Sequence, residues 1–266
     1  MKSGLLISTY NWPEALELVL ESVLLQTHLV NEILIADDGS RKETAQLIQK
    51  FQKRSFIPIR YFWHEDNGFR KSKILNVAIA ETTVDYIIQI DGDCTLHSRF
   101  VEDHLNHAVR GTYLYGSRVN ILPEFVEAIF HKKCCKFNLF SKEIKNKSRA
   151  LHVPFLSRLY KAHDGISNKF RGCNVSFWRN DFIVVNGYNE DFEGWGREDS
   201  DLVIRLGNNQ IKAKRLRYAG ILYHIHHETN SKHSLEWNNQ IQAKTIAEKV
   251  VACDNGINKY LKSVSC

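Results

Sequence analysis

No run of 18 apolar residues occurs anywhere in the 266-residue chain, which excludes a membrane-spanning helix of ordinary length. Glycine and proline are scarce, at 14 and 4 residues, so collagen-like and low-complexity architectures are excluded as well. The six cysteines, Cys94, Cys134, Cys135, Cys173, Cys253 and Cys266, form no C-x-x-C pair, and free thiols are expected. No G-x-G-x-x-G and no G-x-x-x-x-G-K-[ST] follows an apolar run, so the usual glycine-rich phosphate cradles are missing. The opening MKSGLLISTYNWPEAL turns polar at Ser8, too early for a signal h-region, and a cytoplasmic location is expected.

What remains is an ordinary globular composition, 43% hydrophobic and 25% charged. The 36 Lys and Arg exceed the 30 Asp and Glu by six, and much of that excess is concentrated. His131 to Arg149 (HKKCCKFNLFSKEIKNKSR) holds seven cations and one acid, interleaved with Phe137, Leu139, Phe140 and Ile144. Such a stretch suits either an amphipathic element on an anionic bilayer, with a peripheral position on the inner face of the cytoplasmic membrane, or a solvated loop.

The periodicity predicts alternating strands and helices. Leu5 to Ser8, Glu32 to Ala36, Ile57 to Trp63 and Asp85 to Ile90 read as buried strands. Pro13 to Leu25, Glu43 to Phe51 and Ser72 to Ala80 read as the helices between them, and Ser98 to Val109 as a further helix. That order implies a mostly parallel sheet flanked by helices, an α/β fold. Thr112 to Arg118, Asn174 to Phe177 and Arg215 to His224 are strand-like, Glu198 to Leu206 and Ser234 to Val251 helical. With no repeat and no Gly/Ser linker, one continuous domain over residues 1–266 is expected, residues 1–110 binding a nucleotide and 111–266 completing the site.

In open α/β sheets ligands bind beyond the carboxyl ends of the strands. Polar residues stand at three such ends: Ser8-Thr9-Tyr10-Asn11, Asp37-Asp38-Gly39-Ser40 and Asp91-Gly92-Asp93. Without a glycine-rich cradle, a diphosphate needs another holder, and Mg²⁺ or Mn²⁺ bridging it to a carboxylate would serve. Alone, an Asp-x-Asp is as well read as a solvated turn.

Together, STYNWPEALELVLESVLLQ, EILIADDGS, NGFRKSKILNVAI and YIIQIDGDC resemble, over residues 3 to 110, the family 2 glycosyltransferases of GT-A fold. The resemblance implies that Thr9, Tyr10 and Asn11 lie at the uridine pocket and that Asp38 accepts from the uracil N3–H. It further implies that Asp91 contacts ribose or sugar and that Asp93 binds the metal. Separately, Asn67 to Lys73 brings three cations just before a helix start, which suits either a phosphate or sugar of the donor, with Arg70 and Lys73 assigned to it, or a solvated turn. Phe170 to Arg179 (FRGCNVSFWR) resembles the family stretch in which Gly172 and Asn174 approach the donor sugar.

Gly194-Trp195-Gly196 presents an indole of the kind sugars stack on, just before the acids Glu198, Asp199 and Asp201. GWG-x-ED-x-D resembles the acceptor and catalytic segment of β-1,4-galactosyltransferases and of chondroitin-polymerase-type bacterial enzymes. By that resemblance Asp199 is the general base, and Trp195, Gly196, Glu198 and Asp201 bind the acceptor. His224 and His226, two apart after an apolar strand, share a face if the strand continues; the H-x-H resembles the second metal-ligand element of xylose-directed β-1,4-galactosyltransferases, which implies that both join Asp93 as metal ligands while His227 faces away.

The expected activity is therefore inverting, metal-dependent transfer of a hexose or N-acetylhexosamine. The donor is a UDP-sugar, and the acceptor a glycan or lipid-linked saccharide of a bacterial surface polysaccharide or lipopolysaccharide. Mn²⁺ or Mg²⁺ is the cofactor, and no nucleic-acid partner is expected. A metal-dependent sugar nucleotidyltransferase and a non-enzymatic basic membrane-binding module are the alternatives. Neither explains GWGREDSD.

Overall fold

The computed structural model describes residues 1–133, 136–167, 169–228 and 233–262. The chain opens β1 (Ser3–Thr9), α1 (Pro13–Leu24), β2 (Glu32–Asp37), α2 (Lys42–Arg54), β3 (Ile59–Trp63), α3 (Lys71–Ala80) and β4 (Tyr86–Asp91). These four strands run parallel in the order β4-β1-β2-β3. Every residue of β1 is buried because the sheet is covered on both faces. Side-chain alternation divides the core accordingly: Leu5, Ile7, Ile33 and Ile35 pack with α1 and α2, whereas Leu6, Leu34 and Ala36 pack with α3.

Next come β5 (Cys94–Leu96), α4 (Phe100–His107), β6 (Thr112–Gly116), β7 (Arg118–Ile121), α5 (Val126–Lys132), β8 (Ile144–Lys145) and α6 (Pro154–Ser157). The chain then forms β9 (Asn174–Trp178), α7 (Arg179–Val184), α8 (Glu198–Asn208), β10 (Lys212–Leu216), β11 (Leu222–His224) and α9 (Leu235–Ala247). Three of these strands extend the central sheet to seven, in the order β10-β6-β9-β4-β1-β2-β3, with β9 antiparallel to both its neighbours. The architecture is thus the expected α/β one, mainly parallel, and it draws strands from both halves of the chain.

A second sheet, β5-β11-β7-β8, was not foreseen. Thr112 to Arg118, expected as one strand, parts at Ser117, so that β6 stays in the large sheet and β7 enters the small one. Arg215 to His224 parts likewise, at a turn in which Tyr218 and Gly220 have positive φ. One residue holds both crossovers. The Asn174 amide donates to the carbonyls of Ser117 (3.3 Å) and Gly220 (2.8 Å), and its oxygen meets His104 at 3.1 Å. Asn174 is fully buried, which corrects its assignment to the donor sugar: its hydrogen bonds are already made to the fold.

The basic stretch His131 to Arg149 is also corrected. It is not a continuous amphipathic element: Phe137 and Ile144 turn inward and join Ile129, Val119 and Tyr223 in a third apolar cluster, leaving Phe140 exposed. Cys134 and Cys135 lie outside the described residues, as does Cys266; Cys94, Cys173 and Cys253 are free and buried. Among the described residues no helix is long and apolar enough to cross a membrane.

Candidate active site

The ends of β1, β2 and β4 meet at one edge of the central sheet, where the small sheet and α8 wall off a cleft of about 910 Å³. Asp91, the last residue of β4, accepts from the Ser8 hydroxyl (2.8 Å) and the Lys71 ammonium (2.9 Å) at the same oxygen, leaving its second oxygen to the cleft. Gly92 is required next. Its N–H bonds the Ser8 carbonyl at 2.7 Å, and a Cβ there would stand 2.9 Å from that oxygen.

Asp93 is brought beside His224 by the small sheet, in which β5 pairs antiparallel with β11 and the Ile225 N–H bonds the Asp93 carbonyl. His224 Nε2 is 3.4 Å and His227 Nε2 3.2 Å from Asp93 Oδ2, and ligand atoms of the three residues all lie within 4.8 Å of one another. The partner of Asp93 and His224 is therefore His227 and not His226. Regular alternation ends with β11 at His224; beyond it Ile225 is buried and His226 turns outward to the cleft rim, so His227 swings back. Burial lowers the pKa of His224. The hydrogen bond to Asp93 raises that of His227. Burial works against the charge of Asp93, but the two imidazoles hold its carboxyl below the usual range.

At the other end of the cleft, Tyr10 leaves half its surface open (51%) and Thr9 lines the wall beside it. Asp38 also lines the cleft, its carboxylate bound by the Arg70 N–H (3.0 Å) and by His64 Nε2 (2.7 Å). Arg70 acts there through its backbone. Its guanidinium turns away to Glu193 at 2.9 Å. Asn11 does not line the cleft: it has φ +47° and clips the loop after β1 to the loop after β2, its side-chain oxygen accepting from the Arg41 N–H and its own N–H donating to the Ser40 hydroxyl oxygen.

Lys73 is exposed, and of the three cations in this segment it is Lys71 whose side chain lines the cleft, as Arg118 and Arg171 do from elsewhere in the chain. Helix α3 begins at Lys71, and two residues further the side chain has rotated by about 200°, out to solvent. Burial opposes the charge of Lys71, yet the carboxylates of Asp91, Asp199 and Glu198 outweigh it and hold the ammonium protonated, its pKa well above the ordinary value.

Asp199 reaches the cleft from the first turn of α8. The Tyr188 hydroxyl, buried and accepting from Gln89 Nε2 at 2.7 Å, donates to Asp199 Oδ1 at 3.2 Å. The other oxygen lies against Gly172, where an added Cβ would stand only 1.7 Å from it, so a side chain at that position would expel the carboxylate. Burial raises the pKa of Asp199, opposed mainly by Lys71. Trp195, 41% exposed, stands beside Glu198 and Asp199, where the cleft adjoins a second cavity of about 550 Å³.

Asp201 is a correction. It is fully buried in an ion pair with Arg205 Nε at 2.8 Å, and the guanidinium also donates to the carbonyls of Val185 and Gly187. It faces the fold, where it cannot meet an acceptor. Tyr188 and Gln89 are the functional candidates that sequence reading missed, and nothing local in the sequence marks them.

Glu198 accepts from the Gly196 N–H, and burial, with the Asp199 charge, pushes its pKa up to about 7 from 4.5. Its proton is held more tightly in the folded chain than in the unfolded one, so its contribution is full below pH 4.5 and is lost as pH rises through 7. Glu198→Gln is therefore expected to stabilise the protein by about 1–3 kcal/mol at pH 8 and to change it little at pH 4. Urea unfolding at the two pH values checks this.

Residues 5–163 match the family described as glycosyl transferase family 2. The chain belongs to that family. Residues 158–228, which contain Gly172, Trp195, Asp199 and the histidines, match a second description, the N-terminal domain of galactosyltransferase. Chondroitin synthase of Escherichia coli is 24% identical over 228 residues, covering 76% of this chain and 32% of that protein. This family 2 chain thus spans about a third of that curated relative. Among solved structures, S. aureus TarS 1-349 in complex with UDP covers 98% of this chain and 68% of its own, with TM-score 0.63 and 14% identity. The mannosyltransferase PcManGT of Pyrobaculum calidifontis, in complex with GDP-Man and Mn²⁺, gives TM-score 0.59 at 14% identity over the same shares. These structural likenesses identify the fold as GT-A.

Proposed function

We propose that this family 2 protein transfers a sugar from a UDP-sugar to a glycan hydroxyl, with inversion and with the help of a divalent ion. The observation that carries this reading is one cleft in which three residues able to ligate a metal and a separate, positioned carboxylate flank the same space. Asp93, His224 and His227 offer one oxygen and two nitrogens to one point, a donor set suited to Mn²⁺ or, less closely, Mg²⁺. The ion, when bound there, neutralises charge on the departing diphosphate. Tyr10 and Thr9 offer a face and an edge to a base, and the free lone pairs of Asp38 suit an imide N–H.

Asp199 would take the proton of an acceptor hydroxyl laid against Trp195. The oxygen attacks the anomeric carbon, and the bond to the diphosphate breaks on the opposite side, with its electron pair leaving on UDP. One displacement turns an α-linked donor into a β-linked product. Lys71 and the Tyr188 hydroxyl favour the ionised carboxylate that this step needs. The similarity to chondroitin synthase and to the UDP complex of TarS supports a UDP-sugar donor and a polysaccharide acceptor, such as a surface polysaccharide or lipopolysaccharide.

A panel of UDP- and GDP-hexoses and N-acetylhexosamines, incubated with the protein and Mn²⁺, tests this. Release of UDP from at least one UDP-sugar, abolished by chelation, is expected. Turnover of GDP-sugars alone, or pyrophosphate release from UTP and a sugar phosphate in place of donor cleavage, would overturn it.

A further inference from the structure

The segment that follows β8 inverts the usual distribution of polar and apolar side chains. From Ile144 to His163 the sequence holds Lys145, Lys147, Arg149, Arg158 and Lys161, and no acid. All five cations are exposed. Phe155 and Leu159 are exposed with them, at 71% and 68%, and Leu151 at 36%, while the small Ala150 and Ser157 are buried.

This is a fixed surface. The Val153 N–H bonds the Tyr218 carbonyl at 2.9 Å, His163 and Ala213 exchange two backbone hydrogen bonds, and the Arg149 guanidinium donates to the Arg118 carbonyl. Successive i to i−3 bonds, from Leu156, Arg158, Leu159 and Tyr160, wind residues 153–160 into a tight turn around α6. Tyr160 packs on Tyr218, and Arg217 lies over the same ring, adding a sixth cation beside the turn. So anchored, the segment presents Phe155 and Leu159 to solvent in a stretch whose charged side chains are all cationic.

We propose that residues 145–161 form a docking face for an anionic lipid bilayer, with Phe155 and Leu159 entering the headgroup boundary and the surrounding cations meeting lipid phosphates. Charge complementarity selects this occupant. Two bulky apolar side chains gain by leaving water for the acyl boundary, and the five cations of this acid-free stretch, with Arg217 beside the turn, are attracted to a negative surface potential within a Debye length. The surface lies outside the cleft-lining residues, so the proposal stands independently of the donor and of the reaction.

Cosedimentation of the full chain with vesicles of phosphatidylcholine, with and without phosphatidylglycerol, tests it. Binding is expected only to the phosphatidylglycerol vesicles, falling steeply as salt is raised. Arg158→Ser with Lys161→Ser should weaken it by about fivefold for each cation removed. Phe155→Ser with Leu159→Ser should also weaken it while leaving UDP affinity unchanged, which confirms that the variant is folded. Equal binding to both vesicle types, no binding to either, or unaltered binding by both variants would overturn the proposal. So would a concentration-dependent dimer of the wild type that the Phe155 and Leu159 changes disperse, because the face would then be an interface between two copies of the chain.

Discussion

Replacing Asp199 by Asn is expected to lower turnover of the donor by roughly 10² to 10⁴, about 3–5 kcal/mol of barrier, with UDP affinity unchanged. The amide keeps the shape of the carboxylate, fits against Gly172 as the acid does and still offers an oxygen to the Tyr188 hydroxyl. What it loses is the capacity to take a proton. Steady-state kinetics with the donor identified by the panel, and calorimetric titration of UDP as the control, separate chemistry from binding. A variant that turns over at near wild-type rate would move the base to another carboxylate of the cleft, such as Glu198, its neighbour in sequence.

Asp201→Ala is expected to act on stability, costing about 3–5 kcal/mol. The change strands the Arg205 guanidinium where neither partner of the ion pair has any exposed side-chain surface. Arg205 also holds the carbonyls of Val185 and Gly187, the turn that leads directly into Tyr188, so its loss of register would be felt at Asp199. Urea unfolding measures the cost. A variant of unchanged stability with a raised acceptor KM would return Asp201 to the acceptor site.

The parts of the site that the sequence made legible are those fixed by the ends of parallel strands. Thr9, Asp38, Asp91 and Asp93 follow apolar runs that have no choice but to lie side by side, so their convergence is dictated by the sheet. Asp199 and Trp195 were legible because the motif around them is dense.

Two of the misplacements, at Lys73 and at His226, lie where an element begins or ends. A helix expected from Ser72 begins at Lys71, and Lys73, about 200° round from it, faces solvent while Lys71 enters the cleft. A strand expected to carry its alternation through His226 stops at His224, which exchanges His226 for His227. Asn174 and Tyr188 owe their positions to partners far along the chain, Gly220 and Gln89, that no local pattern announces. Asp201 is different: Arg205 stands four residues on, amid Leu202, Val203, Ile204 and Leu206, and a charge pair inside an apolar helical run signals burial.

The exchange of His226 for His227 is also where the metal site is most exposed to test. Mn²⁺ titrated into the wild type, His227→Ala and His226→Ala, with free ion followed by electron paramagnetic resonance, distinguishes the ligands without reference to any donor or acceptor. His227→Ala is expected to weaken Mn²⁺ binding by about tenfold or more, a loss of about 1.4 kcal/mol or more, and His226→Ala to leave it within about twofold. The reverse order, or three identical titrations, would contradict a metal held by Asp93, His224 and His227.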